Sequence, residues 1–317
     1  MTAVEACVGI ALCTLYEGDY HHGVAALANS LHQAGFRGEF VVGVRGDMPR
    51  WAGEGHLDDA SSRSLDLGPD LHIRFVAVDT PKHLTLFKPE FMAQVLNTYA
   101  TDADVVTYID PDIVVKCAWS DFSPWLESGG ICLIEDVNGA LPSHAPMRSL
   151  WRGYFDAAGL VETRSLDTNF NAGFVSVPRS HAYFLQLWTD MCSRAIASLG
   201  GTAGIKSGQP TSLFSTPDQD ALNMALMLSD IPMRTARSAE MDFAPGGQCL
   251  SHAIGPFKPG HGRFVARALN GRPPSLASKH FLAFVDGPLR SLSQSEIRRL
   301  RTSQRLASLI GRFYRRA

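Results

Sequence analysis

An apolar run from Val105 to Val115 is broken once, by Asp110-Pro111-Asp112. Val105, Val106, Tyr108 and Ile109 lead into the break, and Ile113, Val114 and Val115 follow it. A short, continuous apolar run suits a strand covered on both faces, and such strands belong to parallel sheets flanked by helices. Two carboxylates at the end of a buried strand face a crevice rather than bulk water. Buried carboxylates are costly unless paired or bound to metal. A hard divalent cation with oxygen ligands removes that cost. Such a cation also holds a diphosphate and takes up charge as it leaves. The plain alternative is a polar turn, because Asp and Pro are common turn residues.

The rest of the chain repeats the strand-helix alternation. Ala6 to Leu15 reads as a buried strand, and Tyr16-Glu17-Gly18-Asp19-Tyr20 as a polar turn. Gly23 to Ala34 has helical spacing in Val24, Leu27, Ala28 and Leu31, and stops at Gly35. Phe40 to Val44 and Ile73 to Val78 read as strands, separated by a polar surface excursion over residues 46–70. Pro89 to Tyr99 reads as a helix with Pro in its first turn. Val105 to Ile109, Ile131 to Ile134 and Phe174 to Val177 complete the strands. Tyr183 to Ala197 and Asp218 to Leu228 read as helices, and residues 244–262 as loop. Gly200 to Pro217, rich in Gly, Ser and Thr, suggests a lid. The pattern predicts an α/β fold with a mostly parallel sheet between helices, whose ligands sit beyond the carboxyl ends of the strands. Neither a GxGxxG nor a P-loop pattern accompanies it.

With 317 residues, 45% hydrophobic and 19% charged, the chain suits one large α/β domain or two small ones. A net charge of -2 supplies no global field to recruit nucleic acid. The six cysteines are scattered without a CxxC pair, which suits reduced thiols and a cytoplasmic compartment. The N-terminus lacks a basic region and a small-residue cleavage site, so Cys7 to Leu15 reads as strand rather than signal peptide. No segment approaches the roughly 20 apolar residues of a membrane span.

Four segments together resemble one family. Asp110-Pro111-Asp112 resembles the DxD motif of nucleotide-sugar glycosyltransferases with the GT-A fold. Asn169-Phe170-Asn171-Ala172-Gly173-Phe174 and Asp218-Gln219-Asp220-Ala221-Leu222-Asn223 resemble the FNAG and DQDxLN segments of retaining family 8 enzymes, the glycogenin and lipooligosaccharide galactosyltransferase group. Lys279-His280-Phe281, ahead of Gly287-Pro288-Leu289, resembles their late histidine motif. The order matches, from about residue 7 to 290. The resemblance implies a GT-A domain over residues 1–290, with a nucleotide-binding half (1–135) and a less regular donor-sugar and acceptor half (136–290).

The resemblance also implies roles. Asp110, Asp112 and His280 would hold Mn2+ or Mg2+, whose remaining positions suit a diphosphate. Tyr20 would stack on the donor base, with Glu17 and Asp19 near base or ribose. Lys88, just before the expected helix, would reach donor sugar or phosphate. Asn171 and Gly173 would line the sugar, Asp218 would bind its hydroxyls, and Gln219 would sit beneath the anomeric carbon. For each, a bland reading stands beside the functional one: a packing tyrosine, a solvated turn, a surface lysine, a helix N-cap at Asp218. The chain holds 11 histidines, so His280 is singled out by the motif alone. Two departures stand out. The family has a glycine soon after the late histidine and then Lys-Pro-Trp, but Ala283 and Asp286-Gly287-Pro288-Leu289 follow His280. Lys279 or Arg290 would have to replace that lysine. The arginine that often precedes the lysine at Lys88 is Leu86 here.

Residues 291–317 carry seven arginines and one acidic residue, Glu296. At the helical 100° per residue, Leu306, Leu309, Ile310 and Phe313 share a face, and Arg301, Arg305, Arg312, Arg315 and Arg316 gather opposite. A basic amphipathic helix suits anionic lipid, and a helix packed on the domain is the equal alternative. Nucleic acid is a weaker third.

The sequence therefore predicts a metal-dependent, retaining transferase taking a sugar from a nucleoside-diphosphate sugar, UDP-sugar favoured, to a carbohydrate or lipid-linked acceptor. Its place would be the cytoplasm or the inner face of the membrane. The rivals are a sugar-nucleotide nucleotidyltransferase and a catalytically silent nucleotide-sugar-binding protein of the same fold.

Overall fold

A computed structural model describes residues 8–53, 56–57, 62–201, 213–254 and 262–313. The first strand, β1 (Ile10–Glu17), leads through a short turn (Gly18–Tyr20) into α1 (His21–Ala34). Helix α1 buries Val24, Leu27, Ala28 and Leu31 at helical spacing. It ends where Gly35 takes a left-handed φ of 81°, which only glycine adopts freely. Strands β2 (Gly38–Arg45), β3 (His56–Leu57), β4 (Ser62–Leu67) and β5 (Leu71–Ala77) follow. Then come α2 (Leu84–Gln94), a π-helical turn (Val95–Tyr99), β6 (Val105–Ile109), β7 (Ile113–Val115) and α3 (Trp119–Leu126). The second half holds β8 (Ile131–Ala140), α4 (Pro146–Ala158), β9 (Thr168–Pro178), α5 (Tyr183–Ser198), α6 (Pro217–Met227), β10 (Met233–Ala236) and β11 (Leu250–His252). Helices α7 (Phe264–Leu269), α8 (Leu276–Ala283) and α9 (Gln294–Ile310) close the described chain.

Among the described residues, nine strands form one sheet in the order β10-β8-β9-β6-β1-β2-β5-β4-β3. Only β4 and β9 run against the rest, so the sheet is mostly parallel, as expected. Strand β1 pairs in parallel with β2 on one side and β6 on the other, so the chain switches direction around it. The crevice outside the carboxyl ends of β1 and β6 is therefore the expected ligand site. Alternate residues of β1 feed two cores: Ala11, Cys13 and Leu15 join α2, α5 and α6, while Ile10, Leu12 and Tyr16 join α1 and α3. A third cluster gathers Val114, Phe264, Phe281, Ile297 and Leu300 beneath the separate β7–β11 ribbon.

Several elements differ from expectation for identifiable reasons. Helix α2 begins five residues before Pro89, because the His83 side chain accepts the Thr85 N–H and caps it there. Lys88 thus lies inside the helix. Part of the polar stretch 46–70 pairs as β3 and β4 on the sheet edge. The loop expected over 244–262 contains β11. Within the expected lid, residues 202–212 lie outside the described residues. Among the described residues, no helix is long and apolar enough to cross a membrane.

Candidate active site

Asp110 leaves the end of β6, and its N–H donates to the Gly173 carbonyl of β9 at 2.7 Å. A tight turn follows, closed by the Ile113 N–H on the Asp110 carbonyl at 3.0 Å. Gly23 of α1 lets this turn approach, since a Cβ there would strike the Pro111 carbonyl. Asp112 enters β7, which pairs antiparallel with β11 so that Ile113 faces His252. The ribbon brings His252 Nε2 to 3.2 Å from Asp112 Oδ1, both side chains under 10% exposed. Ligand atoms of Asp110, Asp112 and His252 all lie within 4.8 Å of one another.

Two observations fit a cation there. The Nδ1 of His252 is buried and has no hydrogen-bond partner among the described residues. Gly173 lines the cradle: a Cβ on it would stand 2.7 Å from Asp110 Oδ2 and 2.7 Å from His252 Cε1. Two carboxylates and an imidazole are donors that Mn2+ or Mg2+ accepts.

His280, expected as the third ligand, is not in this group. It sits on α8, where its Nδ1 meets Asp242 Oδ2 at 2.6 Å. Asp242 also receives Lys116 Nζ at 2.8 Å and Ser251 Oγ at 2.5 Å. Burial pushes the Asp242 carboxyl up, but these three donors together hold it below the usual range. It therefore stays ionised as an anchor beneath the ribbon. The signal for His252 was present in the sequence: His252 is followed by Gly255 and then Lys258-Pro259. That is the glycine and Lys-Pro found missing after His280. Residues 255–261 lie outside the described residues.

Lys88 is 1% exposed and reaches Asp110 Oδ1 at 3.1 Å, Asp218 Oδ2 at 3.4 Å and the Ala172 carbonyl at 2.9 Å. Burial pulls its pKa down, but Asp110 and Asp218 outweigh it and hold the ammonium above its ordinary value. Burial pushes the Asp218 carboxyl up in spite of Lys88. Asp110 and Asp218 thus share one ammonium while Asp112 lies against His252, an acidic group whose charge a divalent cation would balance.

Asp218 is not a helix cap. It is the second residue of α6, and the carboxylate that bonds the preceding loop is Asp220, which accepts the Thr216 N–H at 2.7 Å. Burial raises the Asp220 carboxyl to about 7. Asn223 ties α6 to β9 through the Phe170 N–H and carbonyl, both at 2.9 Å. That fixes Gln219 opposite Asn171, whose Nδ2 donates to Gln219 Oε1 at 3.3 Å and to Asp136 Oδ1 at 2.8 Å. Asn171 Oδ1 accepts the Gly173 N–H at 2.8 Å.

Glu17, Asp19 and Tyr20 lie at the neighbouring end of β1. Glu17 is held by Arg45 at 2.7 Å, and Tyr20 is 38% exposed. His83, not singled out from sequence, lies in the field of both groups: burial lowers its pKa, and Glu17 and Asp218 oppose that. The structure therefore joins Asp110, Asp112, Lys88, Asn171, Gly173, Asp218 and Gln219, and adds Asp136 and His252.

No protein-family profile and no curated protein sequence matches the chain. Solved structures do. The galactosyltransferase LgtC, in complex with donor and acceptor sugar analogs, matches at a TM-score of 0.50 and 18% identity. The match covers 91% of this chain and 99% of that one. An active-site variant of LgtC matches at 0.50 and 17%, covering 90% and 98% of the two chains. The bifunctional glycosyltransferase WbbM matches at 0.50 and 14%, covering 94% of this chain and 52% of that one. The α/β architecture, built around a switch point at β1 and β6, is thus the GT-A fold of these glycosyltransferases.

Proposed function

We propose that the chain is a metal-dependent, retaining glycosyltransferase that moves a sugar from a nucleoside-diphosphate sugar, UDP-sugar favoured, to a hydroxyl acceptor. The observation that carries this reading is the Asp110–Asp112–His252 group beside the buried Lys88, at the carboxyl ends of β1 and β6. Asp110, Asp112 and His252 would hold Mn2+ or Mg2+, which binds a diphosphate and stabilises its charge on departure. Lys88 pairs with both Asp110 and Asp218 and so orients them in a buried site. Glu17, Asp19 and Tyr20, at the adjoining strand end, would meet the nucleoside, with Tyr20 stacking on its base. Asn171 orients Gln219, whose amide oxygen eases oxocarbenium-like charge at the anomeric carbon.

Among the described residues, neither carboxylate nearest Gln219 is free to act as a nucleophile. Asp218 is ion-paired to Lys88, and Asp136 accepts from Asn171. The reading is therefore same-face substitution, with an oxygen of the departing diphosphate taking the acceptor proton. Free thiols at Cys13, Cys117, Cys132, Cys192 and Cys249 suit a reducing compartment, and we assign the protein to the cytoplasm. A melting panel of UDP-, GDP-, ADP- and dTDP-sugars with and without Mn2+ tests donor and metal together, because a ligand of the folded state raises the midpoint. A rise with one UDP-sugar that needs Mn2+ is expected. No rise with any of them overturns the reading. Proton NMR of the first-formed glycoside should show the donor's anomeric configuration, and an inverted coupling would refute retention.

A further inference from the structure

The described cysteines are of two kinds. Cys13, Cys132 and Cys192 are buried, and burial pushes all three thiols up. Cys117 and Cys249 are half-buried, each flanked by an exposed residue, Ala118 and Gln248. Cys117 stands at a bend two residues past β7, and Cys249 at a bend just before β11. The antiparallel register sets Val115 opposite Leu250. The Lys116 N–H extends it by donating to the Cys249 carbonyl at 2.7 Å. Two sulfurs 132 positions apart in the chain thereby meet, and the Cys249 S–H donates to the Cys117 sulfur. The surrounding backbone is pinned. Glu240 Oε2 accepts the Gln248 N–H at 3.1 Å and the Cys249 N–H at 3.2 Å. Lys116 Nζ donates to Asp242 at 2.8 Å and to the Gly247 carbonyl at 3.1 Å.

The contact makes the two thiols unequal. The bond from Cys249 holds the Cys117 thiol below its ordinary value, against burial and the nearby carboxylates of Asp121 and Glu240. The same bond keeps the proton on Cys249. A soft-metal site lacks ligands here, because among the described residues no third Cys, His, Asp or Glu donor joins the pair. A thiolate within reach of solvent, beside a second thiol, is the arrangement in which one sulfur attacks an oxidant and the other resolves it. We infer that Cys117 and Cys249 are a reversible dithiol–disulfide pair, closed across the β7–β11 ribbon by a hydroperoxide. The Cys117 thiolate attacks one oxygen of hydrogen peroxide, the O–O bond breaks, and hydroxide leaves behind a sulfenic acid on Cys117. The Cys249 sulfur then attacks the Cys117 sulfur, and the sulfenic hydroxyl departs with the Cys249 proton as water. The two sulfurs lose two electrons and the peroxide gains them. Exchange with a small dithiol reopens the bond. Only the consequence rests on the proposed function: the strands carrying Asp112 and His252 would be joined covalently beside the metal centre.

Peptide mapping of the full chain tests the inference without donor or metal, so its outcome is independent of catalysis. The reduced protein, freed of reductant, is treated with hydrogen peroxide and mapped by mass spectrometry under non-reducing conditions. A peptide cross-linked between Cys117 and Cys249 should appear and vanish with dithiothreitol. The bond closes a long loop in the unfolded chain, so oxidation should raise the melting temperature by about 5–10 °C. Dimedone, which traps sulfenic acid, reads the order of attack. Under peroxide, Cys249→Ser should be labelled at Cys117 about tenfold faster than Cys117→Ser is labelled at Cys249. Absence of the cross-link in the wild type would overturn the inference. So would a main product that joins two chains or pairs either sulfur with Cys7. An oxidised protein that melts below the reduced one would also overturn it, because the bond would then distort the ribbon. Equal labelling of the two variants would refute Cys117 as the attacking sulfur.

Discussion

Substituting Gly173 by Ala adds one methyl group at the floor of the candidate metal centre. Gly173 does not have a positive φ, so Ala fits the backbone and the effect is purely steric. The new Cβ would lie 2.7 Å from Asp110 Oδ2, 2.7 Å from His252 Cε1 and 2.8 Å from Asn171 Oδ1, against 3.4 Å for ordinary contact. Neighbours must retreat by 0.7 Å or β9 must shift. Strand β9 is pinned, because Gly173 accepts the Asp110 N–H and Phe174 pairs with Ile109. Asp110 is held by Tyr108 Oη at 3.0 Å and Lys88 at 3.1 Å. The strain therefore goes into the relative placement of Asp110 and His252. Metal sites tolerate about 0.2 Å in ligand distance. Losing such supporting geometry typically costs about 10–100-fold in metal affinity, and overpacking costs about 1–3 kcal/mol of stability. Electron paramagnetic resonance of free Mn2+ during titration reads the affinity, and a thermal melt reads the stability. Wild-type Mn2+ affinity in Gly173→Ala would refute the placement of the cation against Gly173.

The two histidines separate cleanly: His252→Ala should abolish Mn2+ binding, while His280→Gln should keep it, and the reverse result would restore the sequence-based assignment. Lys88→Met should destabilise the fold by about 3–5 kcal/mol, because it leaves Asp110 and Asp218 without their buried cation; unchanged denaturant midpoints would show that solvent already neutralises them. Asp220, raised to about 7, binds its proton more tightly folded than unfolded. Its stabilisation is full below the ordinary carboxylate range and is lost as pH rises toward 7. Melting temperature should therefore fall across that window in the wild type, and Asp220→Asn should flatten the slope; parallel pH profiles would contradict the assignment.

Much of the fold was legible because its strands are short apolar runs that alternate with helical spacing, and β6 coincides with its expected bounds. Helix α2 was misplaced because His83 is an unusual cap and Pro89 looked like a first-turn residue. Strands β3 and β4 were hidden by polar composition, since an edge strand with one solvated face lacks a continuous apolar run. In the site, Asp110, Asp112, Lys88, Asn171 and Asp218 were legible as local motifs. His252 was signalled only by the Gly255 and Lys258-Pro259 that follow it, and the pairing of β7 with β11 is what brings it beside Asp112. Asp136 and His83 carried no motif, and only the register of β8 and the turn before α2 bring them in.

That pairing has a consequence for how the protein is made. Asp112 and His252 share one ribbon but lie 140 positions apart in the chain. At a synthesis rate of about 5–20 residues per second, the second arrives roughly 7–28 s after the first. During that interval a nascent chain displays Asp110 and Asp112 without the imidazole, and β7 has no partner strand. If the group holds a cation, as proposed, a complex with all three side chains can form only once β11 has been translated and has closed on β7. On the proposed reading, a product cut short before β11 would lack the His252 imidazole and stay unloaded.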